Sequence, residues 1–369
     1  MADIRVGEIR TLLQARCPAL LHELVPGLRR EGNLYSAPNP TRGNDTHGSF
    51  KLWKQGAWRE YDESEDIGKG DIIGLIAYVN GLPPKSREGR KFAIQWAKKY
   101  LGLAEGNPAA LQKARKEASR EAQERQCQAD AEEAARARRI HVRVVDIWTH
   151  ARDCIFHSEP LVANYLRSRG IDLAAVPNMR AVLREHQALD HWAMPHKAVW
   201  TGPAMVARVS AADGTITAIH ATFLRDDGTG KAEGMPNPKL MLGPVKGSVV
   251  ALTNGPTGMP LGVAAEQGKS GPVLLTEGIE TGLACAIAIP EARVWACLSL
   301  SNVGNAPVDL AGISEVFVAL ENDLKPQALR QRESVLEKLE RMGKRVICMQ
   351  PHFGSDFADV IKEETYEFG

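Results

Sequence analysis

The sequence predicts an α+β multidomain chain: a small ribbon-like β module, a helical linker, a mixed α/β basic subdomain and a C-terminal, Rossmann-like parallel α/β sheet. Three observations predict this. Roughly the last hundred residues alternate short β-branched runs with helical ones, as a parallel sheet covered by helices does. The stretch before them, from about Lys197 to Leu252, is β in texture. The front of the chain sets a turn-rich aromatic segment among amphipathic helices. A length of 369 residues accommodates several separate cores.

Composition narrows the function classes. The chain is 44% hydrophobic and 25% charged, ordinary for a soluble globular protein. Lys and Arg number 46 against 45 Asp and Glu, a net charge of +1, so nucleic-acid binding would need basic residues segregated into a patch. The six cysteines form no CxxC, which argues for a reducing compartment and against a disulfide framework or a thiolate zinc site. "MADIRVGEIRTLL" has no apolar signal region, and no apolar run approaches membrane-spanning length. The expectation is a cytoplasmic protein with no membrane partner.

Taken in order, residues 1–103 form the first unit. "VGEIRTLLQARCPALLHELV" has helical spacing, and "NLYSAPNPTRGNDTHGSFKLWKQGAWREYD" is short, aromatic and alternating, as small β-structures are. "GDIIGLIAYVNGL" is a helix opened by Asp71 as N-cap, and "SREGRKFAIQWAKKYLGL" a second helix. Residues 104–139 interleave both charge signs among Ala and Gln, a solvated connector helix rather than a nucleic-acid arm. Residues 140–262 begin helical through about residue 190, with "LVANYLRSRGI" the clearest piece. They continue as two alternating runs parted by the hairpin turn "ADGT", then "NPKLMLGPVKGSVVAL" in the same style. "TNGPTGMPLGVAAEQGKSGP" reads as a linker or loop. In residues 263–369, "PVLLT", "RVWACLSL", "EVFVAL" and "KRVICMQ" are strands; "EGIETGLACAIAI" and "PQALRQRESVLEKLERMG" are helices, the latter ended by Gly343.

Ligands of such sheets gather beyond the carboxyl ends of the strands. Glu277 follows the first strand, Glu321 and Asp323 follow "EVFVAL", and Asp356 and Asp359 follow "KRVICMQ". Singly, each acid reads as a helix cap or a wet surface group, Asp356 and Glu277 being plausible caps. Together they repel one another, a cost acceptable where a divalent cation binds. Mg²⁺ takes hard oxygen ligands from one or two carboxylates plus substrate phosphates, which points to phosphoryl chemistry.

"VLLTEGIETGLA", "VFVALENDLKP" and "GSDFADVI" resemble the Toprim domain of bacterial replicative primases, topoisomerases and related nucleases. The nearest resemblance is to Toprim DNA primases of phages and mobile elements, where EGIET recurs. It implies catalytic and metal-ligating roles for Glu277, Glu321, Asp323 and Asp356, with Asp359 as a further ligand, and Mg²⁺ (or Mn²⁺) as cofactor. Glu321 stands where the family has Asp, and its extra methylene moves the oxygens by roughly an ångström. Residues 140–262 resemble the basic subdomain that precedes the Toprim domain in primases. Arg208, Arg225, Lys231 and Lys239 are the candidate phosphate or template contacts, against a reading as solubilising loop charges.

The front segment has the layout of a primase zinc ribbon, but "SAPNPTRGNDTH" and "EYDESED" supply no Cys where the family holds its metal. His47 is the one candidate ligand and a structural Zn²⁺ wants four, so the module is read as metal-free. Phe50, Trp53, Trp58 and Tyr61 are its expected core, unless one ring beside Arg42, Lys51 or Lys54 is exposed to stack on a single-stranded base.

The order of modules implies a DNA primase, an enzyme polymerising nucleoside triphosphates on single-stranded DNA, with a replicative helicase as candidate partner. No P-loop occurs and the chain ends at Gly369, so a fused helicase is not expected. The alternatives are a Toprim nuclease and a catalytically weakened binder of single-stranded DNA or a replication protein. A topoisomerase is disfavoured, since Tyr366 lies at the very end with no supporting domain.

Overall fold

A computed structural model describes residues 4–31, 34–42, 49–64, 67–103, 108–154, 161–194, 199–322, 325–352 and 354–360. Asp323, His47 and Tyr366, singled out above, lie outside the described residues. The chain is a multidomain α+β protein and divides into two compact units, Met1–Ala134 and Ala135–Gly369.

The first unit opens with α1 (Val6–Ala15) and α2 (Ala19–Leu24). Five short strands follow: β1 (Arg29–Glu31), β2 (Leu34–Ala37), β3 (Phe50–Trp53), β4 (Trp58–Glu60) and β5 (Lys69–Gly70). They pair antiparallel in chain order. Then come α3 (Ile72–Val79) and α4 (Arg87–Tyr100). Asp71 caps α3 as its sequence position predicts, accepting from the Gly74 amide at 2.9 Å. The strand period of two decides which aromatics are core. Phe50 and Leu52 point inward with Trp58, whose ring lies 4.5 Å from Tyr78. Trp53, 38% exposed, and Tyr61, 56% exposed, fall on the outer face, which corrects their expected place in the core.

At the turn after β2, where a ribbon would hold metal, the described residues form a hydrogen-bonded network. Buried Asn39 donates to Glu60 Oε2 at 2.6 Å and to the Tyr78 hydroxyl at 2.8 Å, and its own oxygen accepts from the Thr41 amide and hydroxyl. Tyr78 in turn donates to Glu63 at 3.0 Å. Such a network ties turn, hairpin and helix to one another. Asn39→Ala leaves the buried Glu60 carboxylate short of a donor and is expected to destabilise the unit by about 2–3 kcal/mol. Thermal melts read this, and the wild-type melt is expected to be the same with and without EDTA; a fall in EDTA would mean that a metal holds the module.

A single helix, α5 (Pro108–His150), runs through the segment read as a connector and past its expected end. Lys113–Glu117 and Arg120–Glu124 are i,i+4 pairs on it.

The second unit holds two sheets. The first comprises β6 (Arg152–Asp153), then, after α6 (Leu161–Ser168), β7 (Leu183–Asp190), β8 (Thr201–Ser210), β9 (Ile216–Phe223) and β10 (Lys239–Leu242), all antiparallel in that spatial order. β7 corrects the helical reading of the segment up to residue 190; its alternation is masked by polar residues on the strand's exposed positions. The "ADGT" turn joins β8 to β9 as expected, with Gly214 at φ +84° and Asp213 accepting from the Thr215 amide.

The second sheet is built from β11 (Val250–Ala251), β12 (Gly271–Thr276), β13 (Arg293–Ala296), β14 (Ile313–Ala319) and β15 (Val346–Met349), in spatial order β11-β13-β12-β14-β15. The last four run parallel; β11 is an antiparallel edge. Between them lie α7 (Leu261–Glu266), α8 (Ile279–Ala288), α9 (Leu300–Val303) and α10 (Pro326–Glu340). The segment read as a linker thus contains α7 and a 3₁₀ turn at Gly255–Thr257. One core runs from α6 and the inner face of the first sheet (Met205, Ala207, Val209) to Leu274 and Val294 of the second and Leu283 of α8. No described helix is long and apolar enough to cross a membrane.

Candidate active site

β12 delivers Glu277 to the carboxyl edge of the parallel sheet. Its pairing to β13 continues past the strand ends, the Cys297 amide donating to Thr276 O and the Leu298 amide to Glu277 O, both at 2.8 Å. Gly278 is the N-cap of α8, so the chain turns into the helix directly behind Glu277. Gly282 allows that helix to settle: a Cβ there would come within 2.6 Å of Leu252 and 2.9 Å of the Thr276 hydroxyl. Glu277 is half-buried, and its charge, after burial itself, helps push the Cys297 thiol up.

β14 lies beside β12 and brings half-buried Glu321 to the same edge. Arg332 of α10 donates to the Glu321 carbonyl and fixes the loop. The neighbouring Asn322 ties this loop to the one after β15, its amide donating to Ser355 O at 2.8 Å and its side chain to Pro351 O and Gly354 O. Asp356 therefore arrives at the same end of the sheet. Its Oδ1 accepts from the Ala358 and Asp359 amides, so it does cap the terminal turn. Burial chiefly, and the nearby Asp356 charge, push the Cys285 thiol of α8 up to about 12. Asp359 Oδ2 accepts from the Ser355 amide at 2.9 Å and its hydroxyl at 2.6 Å, and these bonds hold its carboxyl below the usual range.

The donor set is chemically suited to a hard divalent cation, being carboxylate oxygens delivered by loops after three adjacent parallel strands. Asp356 and Asp359 each commit an oxygen to their own turn. Among the described residues, no three His, Cys, Asp or Glu side chains converge into a cluster that could hold a metal ion.

Of the groups around Lys231 and Lys239, two of the cations singled out in the sequence, the sequence reading missed Glu280, Tyr165 and Arg169. Lys239 ion-pairs with Glu280 at 2.9 Å, and Tyr165 of α6 donates to the same carboxylate at 2.8 Å. Glu280, three residues after Glu277, is only 7% exposed. Burial alone would raise its carboxyl, but the Lys239 ammonium and the hydrogen bonds outweigh it and hold it at about 2. His220, one strand in, is kept neutral, its pKa pushed down to about 4 by burial and then by Lys239. Lys231 is depressed by burial, then Lys239, with a contribution from Arg169. Tyr165, Ser168, Arg169, Thr229, Gly230 and Lys231 line a cavity of about 320 Å³. Arg169 also contributes to holding Asp359 ionised, so this cavity and the acidic edge lie within reach of one another's fields. The signals available in sequence were the Arg of "YLRSRG" and the second Glu of "EGIET".

The remaining candidates lie elsewhere. Arg225 pairs with Asp227 at 3.7 Å and Glu233 at 3.1 Å within its own loop. Arg208 opposes Ile219, whereas Lys239 shares a row with Thr222 and Met205. Residues 205 and 208 are three apart on one strand, so Arg208 faces away from Lys239.

Residues 272–367 match the family model of the Toprim domain, and residues 138–252 match a domain of unknown function, DUF7146. No curated protein matches the chain. Among solved structures, the chain is similar to the zinc-binding and RNA polymerase domains of the Aquifex aeolicus primase, with 14% identity and a TM-score of 0.40, over 98% of this chain and 83% of that one. It is similar to a DnaG primase catalytic domain bound to ssDNA (13%, 0.42, 63% and 78%) and to a DNA primase domain from Pseudomonas aeruginosa (12%, 0.41, 62% and 77%). No residue correspondence follows from likenesses at this level.

Proposed function

We propose, for a chain that carries a Toprim domain over residues 272–367, that it is a primase-like nucleotidyltransferase making short primers on single-stranded DNA, for replication of a phage or mobile element, in the cytoplasm. The observation that carries the reading is the placement of Glu277, Glu321 and Asp356 beyond three adjacent parallel strands, next to a cavity lined by Arg169 and Lys231. Acids on one side and cations on the other suit a substrate that brings both a metal and phosphates. In this reading Glu277, Glu321, Asp323 and Asp356 hold Mg²⁺ or Mn²⁺, with Asp359 behind them. Such ions, when bound, add positive charge at the triphosphate and acidity at the attacking 3′-hydroxyl.

The chain's own residues do the rest. Arg169 and Lys231 take phosphate oxygens of the incoming nucleotide, and their hydration is already reduced, which strengthens each contact. Lys239 is oriented by Glu280 and offers its remaining donors to the same phosphates. Arg208 and Arg225 are template contacts, and a replicative helicase is the candidate partner. The functional segments are residues 1–103, 104–139, 140–262 and 263–369.

A second reading, a binder of single-stranded DNA or a replication protein with a weakened Toprim site, is favoured by Glu321 in place of Asp and by the turn-committed oxygens of Asp356 and Asp359. Incubation with single-stranded DNA, labelled nucleoside triphosphates and Mg²⁺ or Mn²⁺ separates the two. Short products that disappear in Asp323→Ala are expected. DNA binding without products under either metal would leave only the binder, and DNA cleavage in place of synthesis would make the protein a nuclease.

A further inference from the structure

A third group of cations lies apart from the carboxylate edge and from the Lys239–Glu280 pair. Arg293 opens β13, at the end of the parallel sheet opposite to Glu277, and is 3% exposed. It donates to Met259 O and Thr257 Oγ1, both at 2.8 Å, and so pins the Gly-rich turn after β11. Arg180 donates to Asn254 Oδ1 of that turn at 2.9 Å. The Val182 amide bonds Arg180 O at 2.7 Å and the Arg208 amide bonds Val182 O at 2.8 Å, which sets Arg208 alongside. Arg208 itself donates to Gly214 O at 2.6 Å.

Among the described residues, all these side-chain acceptors are neutral: carbonyls, an amide and a hydroxyl. The Nε groups of Arg180 and Arg208 are buried with no hydrogen-bond partner. Arg180 lies within the field of Arg208, and Arg293 within that of Arg180. Burial first, then Arg208, lowers Arg180, and burial first, then Arg180, lowers Arg293. Buried or half-buried charges are ordinarily paired, and guanidinium forks match phosphate oxygens two at a time. A phosphate placed here removes the like-charge cost that the protein carries without it.

We propose that Arg180 and Arg208, backed by the field of Arg293, form a phosphate-binding site separate from the cavity at Arg169. The phosphate belongs to a bound single strand or is a small phosphate ion. Arg293, which backs the site, stands at the start of β13, and the carboxylates lie beyond the other end of the parallel strands. The single-strand form of the site rests on the reading above; the phosphate site as such does not.

Two measurements on the full chain test it. The first compares melting in sodium phosphate and in sodium chloride of equal ionic strength, for wild type, Arg180→Gln and Arg208→Gln. Wild type is expected to gain about 2–4 °C in phosphate and the variants to lose that gain. The second follows oligo-dT binding by fluorescence anisotropy against NaCl. The slope of log affinity on log salt is expected to fall by about 0.7 per variant and to be retained in Arg208→Lys. Loss of the phosphate gain with an unchanged oligonucleotide slope assigns the site to a small phosphate. If neither the gain nor the slope depends on Arg180 or Arg208, the site does not exist. Lys239→Gln lowering the slope in the same experiment would show that the single-strand reading survives that failure. Should Arg180→Gln melt early in chloride, Arg180→Lys is expected to keep the gain, and its loss there counts against the site.

Discussion

Glu277→Gln is expected to reduce metal-dependent primer synthesis by roughly 10²–10³-fold or more, the scale of removing one preorganised charged group from a phosphoryl-transfer site. Gln has the same shape, and the neighbouring backbone is held by the Leu298 amide and by the turn at Gly278 into α8. Because Gln keeps the size and the hydrogen-bonding capacity of the side chain, the melting temperature and the affinity for oligo-dT are expected to change far less than the rate of synthesis. Synthesis rates with Mg²⁺ and with Mn²⁺, set beside a melt, check this. Products at wild-type rate would remove Glu277 from the chemistry and leave the carboxylate edge as scaffold. A collapsed melt would instead make Glu277 structural, as the cap reading of the sequence allows.

The backbone of this prediction was legible because strand ends are written in local chemistry. The strands stop at Thr276 and Ala319, and an acid follows each within two positions, so the topology rule for parallel sheets places both at one edge. Asp71 was legible for the same reason, since a cap is a contact between residues three apart. What local pattern does not encode is which face of an element meets another element far off in sequence. Trp53 alternates out of phase with Phe50 and Leu52, and reading the aromatics by type alone put it inside. β7 carries Arg, Glu, His and Gln on a strand whose partners come from β6 and β8, so pairing overrode its polar texture. Lys239 was legible beside Pro238 as a candidate phosphate contact, but its acceptor, Glu280, is 41 residues away and no local pattern shows it. The two Glu positions of "EGIET", three residues apart, thus have different fates, the first set at the strand end and the second buried in the first turn of α8 against Lys239 of the other sheet.

That difference makes Glu280 the larger stability determinant. Removing it leaves Lys239 and Tyr165 without their acceptor between the two sheets of the second unit. Breaking a fully buried pair costs about 3–5 kcal/mol. Lys239 is 35% exposed and regains water, so Glu280→Ala is expected to cost about 2–3 kcal/mol, read by urea unfolding at pH 7. The pH dependence has a definite sign. The folded carboxyl sits at about 2 against an ordinary 4.5, so its contribution is complete above pH 4.5 and disappears as pH falls toward 2. At about 1.4 kcal/mol per pH unit the full effect is at most about 3 kcal/mol, less for the water at Lys239. Glu280→Gln keeps the shape and loses the charge, so wild type is expected to lose its advantage over this variant between pH 4.5 and 3, the two curves drawing together in acid. Parallel curves down to pH 3 would mean that the ion pair contributes nothing net and that Glu280 is held by packing alone. Because Lys239 is also a proposed phosphate contact, Glu280→Gln is expected to alter nucleotide affinity at pH 7 as well, where Glu277→Gln is expected to act chiefly on the rate of synthesis.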